Sequence, residues 1–390
     1  MARLLIENIR LVQDDGNLAE GMLLIEDDKI AAVRSDAPAG FSGPRFDGDG
    51  TVALPGFIDI HIHGAQGADF MDGDIAAVGT IAEALPAEGT TSFLATTMTA
   101  SGEQIAAAIR HGRKFMNKSG VAGAEMLGFH LEGPFIHPDQ AGAQSSAYIL
   151  EPSIRQLQDW FGETLEDLKV ITMAPEQDAG HRVIRELAER GVIVSAGHTN
   201  ADYRTIKEAS AAGMSHLTHF GNAMRGLHHR EIGVVGAGLL ERKLYCEIIA
   251  DKIHLNPDML EVALRLIGTE RLLLITDSMR AKGLPAGSYR LGDQQVAVAG
   301  KEAVLPDGRL AGSVLKMNEA LRNLQQIAAI SWLDAIALSS ANAAKRLGVW
   351  HRKGSLANGK DADIVLVTED FSVQHTFCRG RKSFGNGGYK

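Results

Sequence analysis

The chain has 390 residues, of which 45% are hydrophobic and 22% are charged, and its formal net charge is −9. This acidity argues against nucleic acid as the main partner, because a phosphate backbone requires patches of lysine and arginine. No apolar stretch is long enough to span a bilayer, and the two cysteines, Cys246 and Cys378, lie too far apart in sequence to suggest a disulfide framework. The N-terminal sequence MARLLIENIRLV also lacks the apolar core of a secretory signal. We therefore expect a cytoplasmic protein without a membrane or nucleic-acid partner.

The first 53 residues predict short strands separated by turn sequences such as DDG and DGDG. Over residues 54–346 the pattern changes to β runs followed by helical stretches, which is typical of parallel strands with helices outside. The eight β runs are GFIDIHIH, TSFLATT, EMLGFHLE, KVITMAPE, VIVSAGH, SHLTHF, LYCEIIAD and RLLLITD. Eight such units predict an α/β fold, a (β/α)8 barrel of the TIM type.

The last part of the chain predicts an insertion and then a return to strands. Residues 281–313 are rich in glycine and turn residues and predict a hairpin insertion, followed by helices at 315–329 and 333–346. The C-terminal GSLANGKDADIVLV is strand-like again. We expect residues 1–53 and 347–390 to form one small β-sandwich lobe, so that both chain ends lie beside the hydrolase-like barrel of residues 54–346.

Two histidines one residue apart, His61 and His63, end the first barrel run. In an extended strand alternate side chains share a face, so both imidazoles project to the same side together with Asp59. Two imidazoles placed in this way can share one metal ion. Asp59 is expected to orient a ligand histidine through a hydrogen bond rather than to bind metal itself.

Further ligand-type residues stand at the ends of later runs, where catalytic side chains of such barrels gather. Each one alone could be a helix cap or a buried ion-pair partner, but their joint occurrence in barrel order favours a metal site. Imidazole and carboxylate together suit zinc first, and also iron or manganese, and we expect one or two divalent ions per subunit. These residues are Glu132 in GFHLEGP, His198 in IVSAGHTN, His219 in HLTHFGN and Asp277 in LLLITDS.

The donor set indicates hydrolysis. Glu132 comes between two groups of histidines and can bridge two ions or serve one. A divalent ion lowers the pKa of bound water toward about 7, which gives hydroxide at neutral pH, and it polarises a carbonyl. Asp277 would take the proton of that water and hand it to the leaving group.

The motifs GFIDIHIHG, HLEGPF, GHTNADY, THFGNAM, LHHRE and LLLITDSM resemble those of the N-acetylglucosamine-6-phosphate deacetylase family, a branch of the amidohydrolase superfamily. This resemblance implies hydrolysis of the acetamide of an amino-sugar phosphate to acetate and the free amine, with Asp277 as general base and acid. It implies Glu132, His198 and His219 as the main metal ligands, and His61 and His63 as ligands of a second position found in some members. It also implies a homodimer.

The resemblance further implies contacts to the sugar phosphate. Arg230 is expected to hold the phosphate bidentately. The expected contact residues are Ala143, Gln144, Asn222, Ala223, Arg230, Lys252, His254, Leu310, Ala311, Gly312 and Ser313.

The chain departs from the family pattern on the substrate side. Gln144 stands where the family commonly has histidine, and glutamine can donate a hydrogen bond but cannot carry charge. Lys252 stands where the family has glycine, and Phe220 and Gly221 replace a leucine and an aromatic residue. These changes leave open whether the sugar or the acyl group differs.

Two alternatives remain at this point. The same scaffold could act on another N-acyl sugar or a cyclic amide, or could deaminate, because the fold alone does not fix the reaction. It could also be a non-catalytic assembly protein that keeps the barrel. HLEGPF and NAM argue against deamination and cyclic-amide hydrolysis, and the intact ligand positions argue against an assembly protein.

Overall fold

The computed structural model describes residues 3–118 and 120–389. Its larger sheet has eight strands whose spatial order follows the chain, and the paired neighbours are parallel. Each predicted β run overlaps one of these strands, which confirms the barrel. In chain order, barrel strands one to eight are Phe57–Ile62, Thr90–Thr96, Glu125–Glu132, Leu168–Met173, Ile193–Ala196, His216–Leu217, Tyr245–Ile248 and Leu272–Leu274.

Hydrogen bonds between the ends of strands eight and one connect the two edges of this sheet. The Asp277 amide donates to the His61 carbonyl at 2.8 Å, and the His63 amide donates to the Ser278 carbonyl at 2.9 Å. Lower in the barrel, the Thr276 hydroxyl donates to the buried Asp59 carboxylate at 2.5 Å. These bonds bring Asp277 next to the histidine pair of the first strand.

Helices separate most of the barrel strands and begin at side chains that satisfy free backbone amides. The Asp74 carboxylate accepts from Ala77, and Ser101 and Gln104 form a reciprocal capping box. The α-helices are Ile75–Ala84, Gly102–Met116, Ile154–Phe161, Arg182–Glu189, Tyr203–Ala211, Gly233–Leu240, Pro257–Leu266, Met317–Ala328, Trp332–Ile336 and Asn342–Arg346. The last two are joined through a π-helical turn over Ala337–Ala341, so the helix predicted at 333–346 has a wide turn in its middle.

Both chain ends form a second sheet of seven strands, as predicted. Its N-terminal strands are Arg3–Val12, Leu18–Glu26, Lys29–Arg34 and Arg45–Pro55, and its C-terminal strands are Ile364–Val367, Val373–Cys378 and Arg381–Phe384. A separate apolar cluster that includes Ile6, Phe46 and Phe377 packs within it. The predicted boundaries at 53/54 and 346/347 stay predictions.

The predicted insertion is a three-stranded antiparallel sheet of Gly287–Leu291, Gln294–Ala299 and Glu302–Val304. It packs on Met98 and Met279 through its own apolar cluster. The turn that follows it is held against the end of strand eight, because the Ser313 amide donates to the Asp277 carbonyl at 2.8 Å. A short pair of strands, Gly64–Ala65 and Ala68–Asp69, lies after strand one. Within the described residues, no helix is both long and apolar enough to span a membrane.

Candidate metal centre

The six predicted ligand residues converge around the Glu132 carboxylate at the end of strand three. Glu132 Oε1 lies 3.2 Å from His198 Nε2, 3.2 Å from His219 Nε2 and 3.4 Å from His61 Nε2. Its other oxygen, Oε2, lies 3.3 Å from His63 Nε2. Asp277 Oδ1 completes the group, at 3.1 Å from His63 Nε2 and 3.5 Å from His61 Nε2.

Glu132 belongs to two trios of donor atoms compact enough to hold an ion. One trio is Glu132, His198 and His219, and the other is His61, His63 and Glu132. All donors are buried, and His61 Nε2 is a buried nitrogen that has no hydrogen-bond partner among the described residues. Such an orphaned nitrogen is costly unless a ligand occupies it. The donor set therefore fits divalent metal, and the two trios could hold one ion or two.

Hydrogen bonds at Nδ1 leave Nε2 of each imidazole free to face the centre. His198 donates to the Gln140 carbonyl at 2.8 Å, His219 to the Asn222 carbonyl at 3.2 Å and His63 to the Thr96 carbonyl at 3.3 Å. His61 instead donates to the Glu247 carboxylate at 3.0 Å. Partners of this kind fix the tautomer and the ring orientation of metal ligands.

The electrostatics of the site favour positive charge. Burial by itself lowers the pKa of His63, but its hydrogen bonds to Asp277 and Glu132 raise that pKa to about 9. Burial likewise raises the pKa of Asp277, but the neighbouring His61 and His63 lower it to about 2. Two buried carboxylates thus keep their negative charge in a place where a cation can balance it.

Three of the ligand residues have left-handed backbone conformations where their strands end. His198 has φ 47°, His219 has φ 33° and Asp277 has φ 48°. Residues other than glycine adopt this region rarely, at a cost on the order of 1–3 kcal/mol each, and such strain clusters at functional sites. The strained residues are therefore among those that supply donor atoms to the cluster around Glu132.

A cavity of about 350 Å³ opens on Glu132, His198, His219, His63 and Asp277. Most of the predicted substrate residues line it. They are Ala143 and Gln144 from the loop after strand three, Asn222 and Ala223 after strand six, His254 after strand seven, and Leu310 and Gly312 after the insertion.

The other predicted contact residues lie outside the lining of this cavity. Ala311 and Ser313 are buried behind it, and the Ser313 hydroxyl donates to the Thr276 carbonyl at 2.5 Å. Arg230 is exposed and bonded to His229 at 2.6 Å. Lys252 donates to Gln326 at 2.7 Å, and its left-handed backbone (φ 69°) suits the glycine found in the family. The chain as described does not bring Arg230 or Lys252 to the site.

Asp59 does not contact a ligand imidazole, contrary to the expectation. Its carboxylate accepts from the backbone amide of His61 at 3.2 Å and from the Thr276 hydroxyl. The reason is that Asp59 lies two residues before His61 in strand one, where its hydrogen-bond partners are a backbone amide and Thr276. The imidazole of His61 is instead held by Glu247, from strand seven.

Three contributions to the site escaped the sequence analysis. Glu247 lies in the apolar run LYCEIIAD, where a carboxylate within a buried strand was the available signal. Arg309 lines the cavity and donates to the Gly142 carbonyl at 2.8 Å. Gln144 was predicted as a substrate contact, but its amide also donates to Glu132 Oε2 at 2.7 Å while its oxygen accepts from the Thr99 amide at 2.6 Å.

Comparison with known proteins decides the family. A profile described as Amidohydrolase family matches residues 52–382, which is most of the chain. The chain belongs to the amidohydrolase family. Amidohydrolases of this family are metal-dependent enzymes, in agreement with the buried donor set.

Full-length relatives place this amidohydrolase in the deacetylase branch that its motifs resemble. The N-acetylglucosamine-6-phosphate deacetylase of Bacillus subtilis (strain 168) is 44% identical over 98% of this chain and 97% of its own. The N-acetylgalactosamine-6-phosphate deacetylase of Escherichia coli O157:H7 is 35% identical over 95% of this chain and 97% of its own. The crystal structure of N-acetylglucosamine-6-phosphate deacetylase from Thermotoga maritima superposes with a TM-score of 0.86, at 33% identity, and covers 98% of this chain and 100% of its own.

Proposed function

We propose that this amidohydrolase removes the acetyl group of N-acetylglucosamine-6-phosphate, or of a close amino-sugar phosphate, and releases acetate and the free amine. The observation that carries the proposal is the convergence of His63, Glu132, His198, His219 and Asp277 on one cavity of about 350 Å³. A cavity of this size accommodates a small ligand such as a phosphorylated hexose. The similarity to deacetylases over nearly the whole chain supports the reaction class.

In this proposal the buried donors hold one or two divalent ions. Glu132, His198 and His219 would hold one, and His61 and His63 with Glu132 would hold another. A bound divalent ion supplies a lowered water pKa and polarisation of the scissile carbonyl. Asp277 stands beside the second of these trios, at 3.5 Å from His61 Nε2 and 3.1 Å from His63 Nε2, and from there it would reach an attacking water.

Asp277 is proposed to carry the proton. An aspartate carboxylate is ionised at neutral pH, and that of Asp277 can therefore accept a proton from water as the O–C bond forms. The same proton then goes to the amide nitrogen as the C–N bond breaks, so that the amine leaves neutral.

Arg309 is proposed as a contact to the phosphate. It is the one lysine or arginine among the described residues that line the cavity, and its guanidinium bridges the Gly142 carbonyl and Asp307. A guanidinium at the cavity rim can offer its remaining donors to a phosphate. Arg230, which the family resemblance implies for this role, would have to reach the sugar phosphate from outside the cavity lining.

Single substitutions of the two arginines test the phosphate contact. Arg309→Ala should raise KM for the phosphorylated sugar about tenfold, the loss expected for one charged hydrogen bond, and leave deacetylation of the unphosphorylated sugar unchanged. Steady-state acetate release with both sugars measures the difference. Arg230→Ala serves as the matched variant, and a KM effect confined to Arg230→Ala would contradict the role of Arg309.

A substrate panel tests the reaction itself. Acetate release is measured with N-acetylglucosamine-6-phosphate, its galactose epimer and the unphosphorylated sugars, and ammonia release and cyclic-amide opening are measured in parallel. We expect acetate from the phosphorylated amino sugars and no ammonia. The Escherichia coli relative makes the galactose epimer the second candidate substrate. Ammonia or ring opening without acetate would contradict the proposal.

The homodimer and the cytoplasmic location are part of the same proposal. The dimer is what the family resemblance implies. One chain has a mass of 41.7 kDa, and light scattering on the purified protein should give twice that mass. A mass of a single chain at micromolar concentration would contradict the dimer.

A further inference from the structure

Glu247 is a carboxylate enclosed in the barrel wall directly beneath the metal centre. It lies in strand seven, Tyr245–Ile248, and is fully buried. Glu247 Oε2 accepts from His61 Nδ1 at 3.0 Å and from the backbone amide of His219 at 3.4 Å. Its other oxygen has no hydrogen-bond partner among the described residues.

A carboxylate in this environment requires a reason, because burying it without full compensation is costly. Among the described residues, no lysine or arginine forms an ion pair with Glu247, and His61 is its one ionisable partner. His130 lies near the same pair, but both of its nitrogens are already bonded, to the Ile60 carbonyl and to Thr172. The interaction of Glu247 is therefore directed at the His61 ring.

His61 differs in this respect from the other three imidazoles of the centre. Their Nδ1 atoms are bonded to backbone carbonyls, whereas that of His61 is bonded to a side-chain carboxylate. A carboxylate partner orients the ring and raises its basicity as a ligand more than a neutral carbonyl does. The nitrogen presented to the centre, His61 Nε2, has no hydrogen-bond partner among the described residues.

We propose that Glu247 is a positioning residue that controls occupancy of the cation position formed by His61, His63 and Glu132. It fixes the tautomer in which His61 Nδ1 carries the proton and Nε2 offers its lone pair. The position formed by Glu132, His198 and His219 depends on it less, because His198 and His219 are oriented by the carbonyls of Gln140 and Asn222. The inference rests on the metal site of the proposed function.

Binding of Zn²⁺ alone to metal-free protein tests this role. The protein is stripped with a chelator, and Zn²⁺ is titrated in competition with a chromophoric chelator. We expect wild type to bind two ions with separable affinities. Glu247→Met should keep the tighter position and weaken the second by about 10- to 100-fold. Glu247→Gln should recover most of that loss, because its amide oxygen can still accept from His61 Nδ1.

Two comparison variants make the result specific. His63→Asn removes a ligand of the same position and should weaken the same ion. Glu125→Gln changes another carboxylate of a barrel strand, one that pairs with Arg352 and Lys353 and, among the described residues, with no imidazole, and it should leave both affinities unchanged. Should Glu247→Met not fold, as judged by near-ultraviolet circular dichroism, Glu247→Ser asks the same question with a small side chain that leaves space for water.

The role of Glu247 is overturned if the folded Glu247 variant binds two Zn²⁺ ions as wild type does, if both positions weaken equally, or if wild type binds only one. These results are distinct from failure of the proposed function. Wild type that binds two ions but releases no acetate from any sugar would refute the deacetylase and leave the role of Glu247 intact. Wild type that binds one ion and releases acetate would support the deacetylase and refute the role of Glu247.

Discussion

Strand three, Glu125–Glu132, carries a glutamate at each end, and the two are used in opposite ways. Glu125 is held by permanent cations, with a bidentate pair to Arg352 at 2.8 and 2.9 Å and a contact to Lys353 at 2.7 Å. Glu132 is surrounded by four imidazoles at 3.2–3.4 Å. The charge of Glu125 is balanced by cationic side chains of the protein. The cluster around Glu132 has donor atoms that can bind a metal cation.

The difference between the two ends lies in the charge that the partners supply. At the Glu125 end, Arg352 and Lys353 also pair with Asp361, and Lys353 pairs with Asp363, so that residues before the C-terminal strands are fastened to the barrel. At the Glu132 end, the imidazoles can release their protons to solvent and then offer lone pairs to a cation, which Arg352 and Lys353 cannot do. The first arrangement stabilises the fold, and the second is built to hold a metal ion.

Removing Glu132 should have the largest effect on function. In Glu132→Ala both trios lose their shared carboxylate, so we expect activity to fall by more than about 10³-fold and bound metal to fall with it. Metal content by plasma mass spectrometry and acetate release are measured on the same sample. Retention of two ions with normal turnover would contradict the conclusion that Glu132, unlike Glu125, serves to bind metal.

Asp277→Asn separates proton transfer from metal binding. The amide cannot accept the proton, so kcat should fall about 10³-fold, while an ion held by Glu132, His198 and His219 is retained. Metal content and kcat are measured together. Turnover within a few fold of wild type would refute Asp277 as the proton carrier.

Glu125→Gln is the matched change at the other end of the same strand. Loss of the ion pairs with Arg352 and Lys353 should cost about 2 kcal/mol in the free energy of unfolding and lower Tm by roughly 3 °C. This loss of unfolding free energy is smaller than that expected for a fully buried ion pair, because the Glu125 side chain is 27% exposed. Both kcat and metal content should stay at wild-type values. A variant with normal Tm and impaired turnover would contradict the conclusion that Glu125 stabilises the fold and takes no part in the reaction.

The smallest expected effect is a pH dependence of that stability. The pKa of Glu125 falls from 4.5 to about 2, because the Arg352 and Lys353 interactions outweigh the effect of burial. A lowered folded-state pKa means that the contribution is complete above pH 4.5 and is lost as pH falls through 2. The difference in Tm between wild type and Glu125→Gln should therefore narrow over this window, as thermal unfolding at stepped pH would record. A constant difference would contradict the pKa assignment.

Much of the fold could be predicted because its signals are local. Buried parallel strands have continuous apolar sequences, and each of the eight predicted runs overlaps a strand. The wide π-turn at Ala337–Ala341 was not predicted, since it lies within a continuous helical stretch and differs from an α-helical turn only in its hydrogen-bond spacing. The ligand residues at strand ends could be predicted for the same local reason, because an apolar run that stops at His or Glu marks the barrel rim.

The contacts among those residues could not be predicted, because they join distant parts of the chain. Gln144 reaches Glu132 from the following loop, and Glu247 reaches His61 across 186 positions. Arg309 gave no signal as a site residue in the sequence DGR, where it is one of several arginines in turns. Asp59 was assigned to an imidazole, but in the barrel its carboxylate meets backbone amides and Thr276.

The sequence by itself determined the barrel, its second sheet from both chain ends and the identity of the metal-type donors, because strand period and strand ends are properties of short segments. Only the tertiary structure decided which nitrogen of each histidine faces the centre, which predicted substrate residues line the cavity, and that Arg230 and Lys252 do not. Closing a ring of strands brings together side chains that are hundreds of residues apart, and the partners met there depend on strand order and stagger rather than on any one segment.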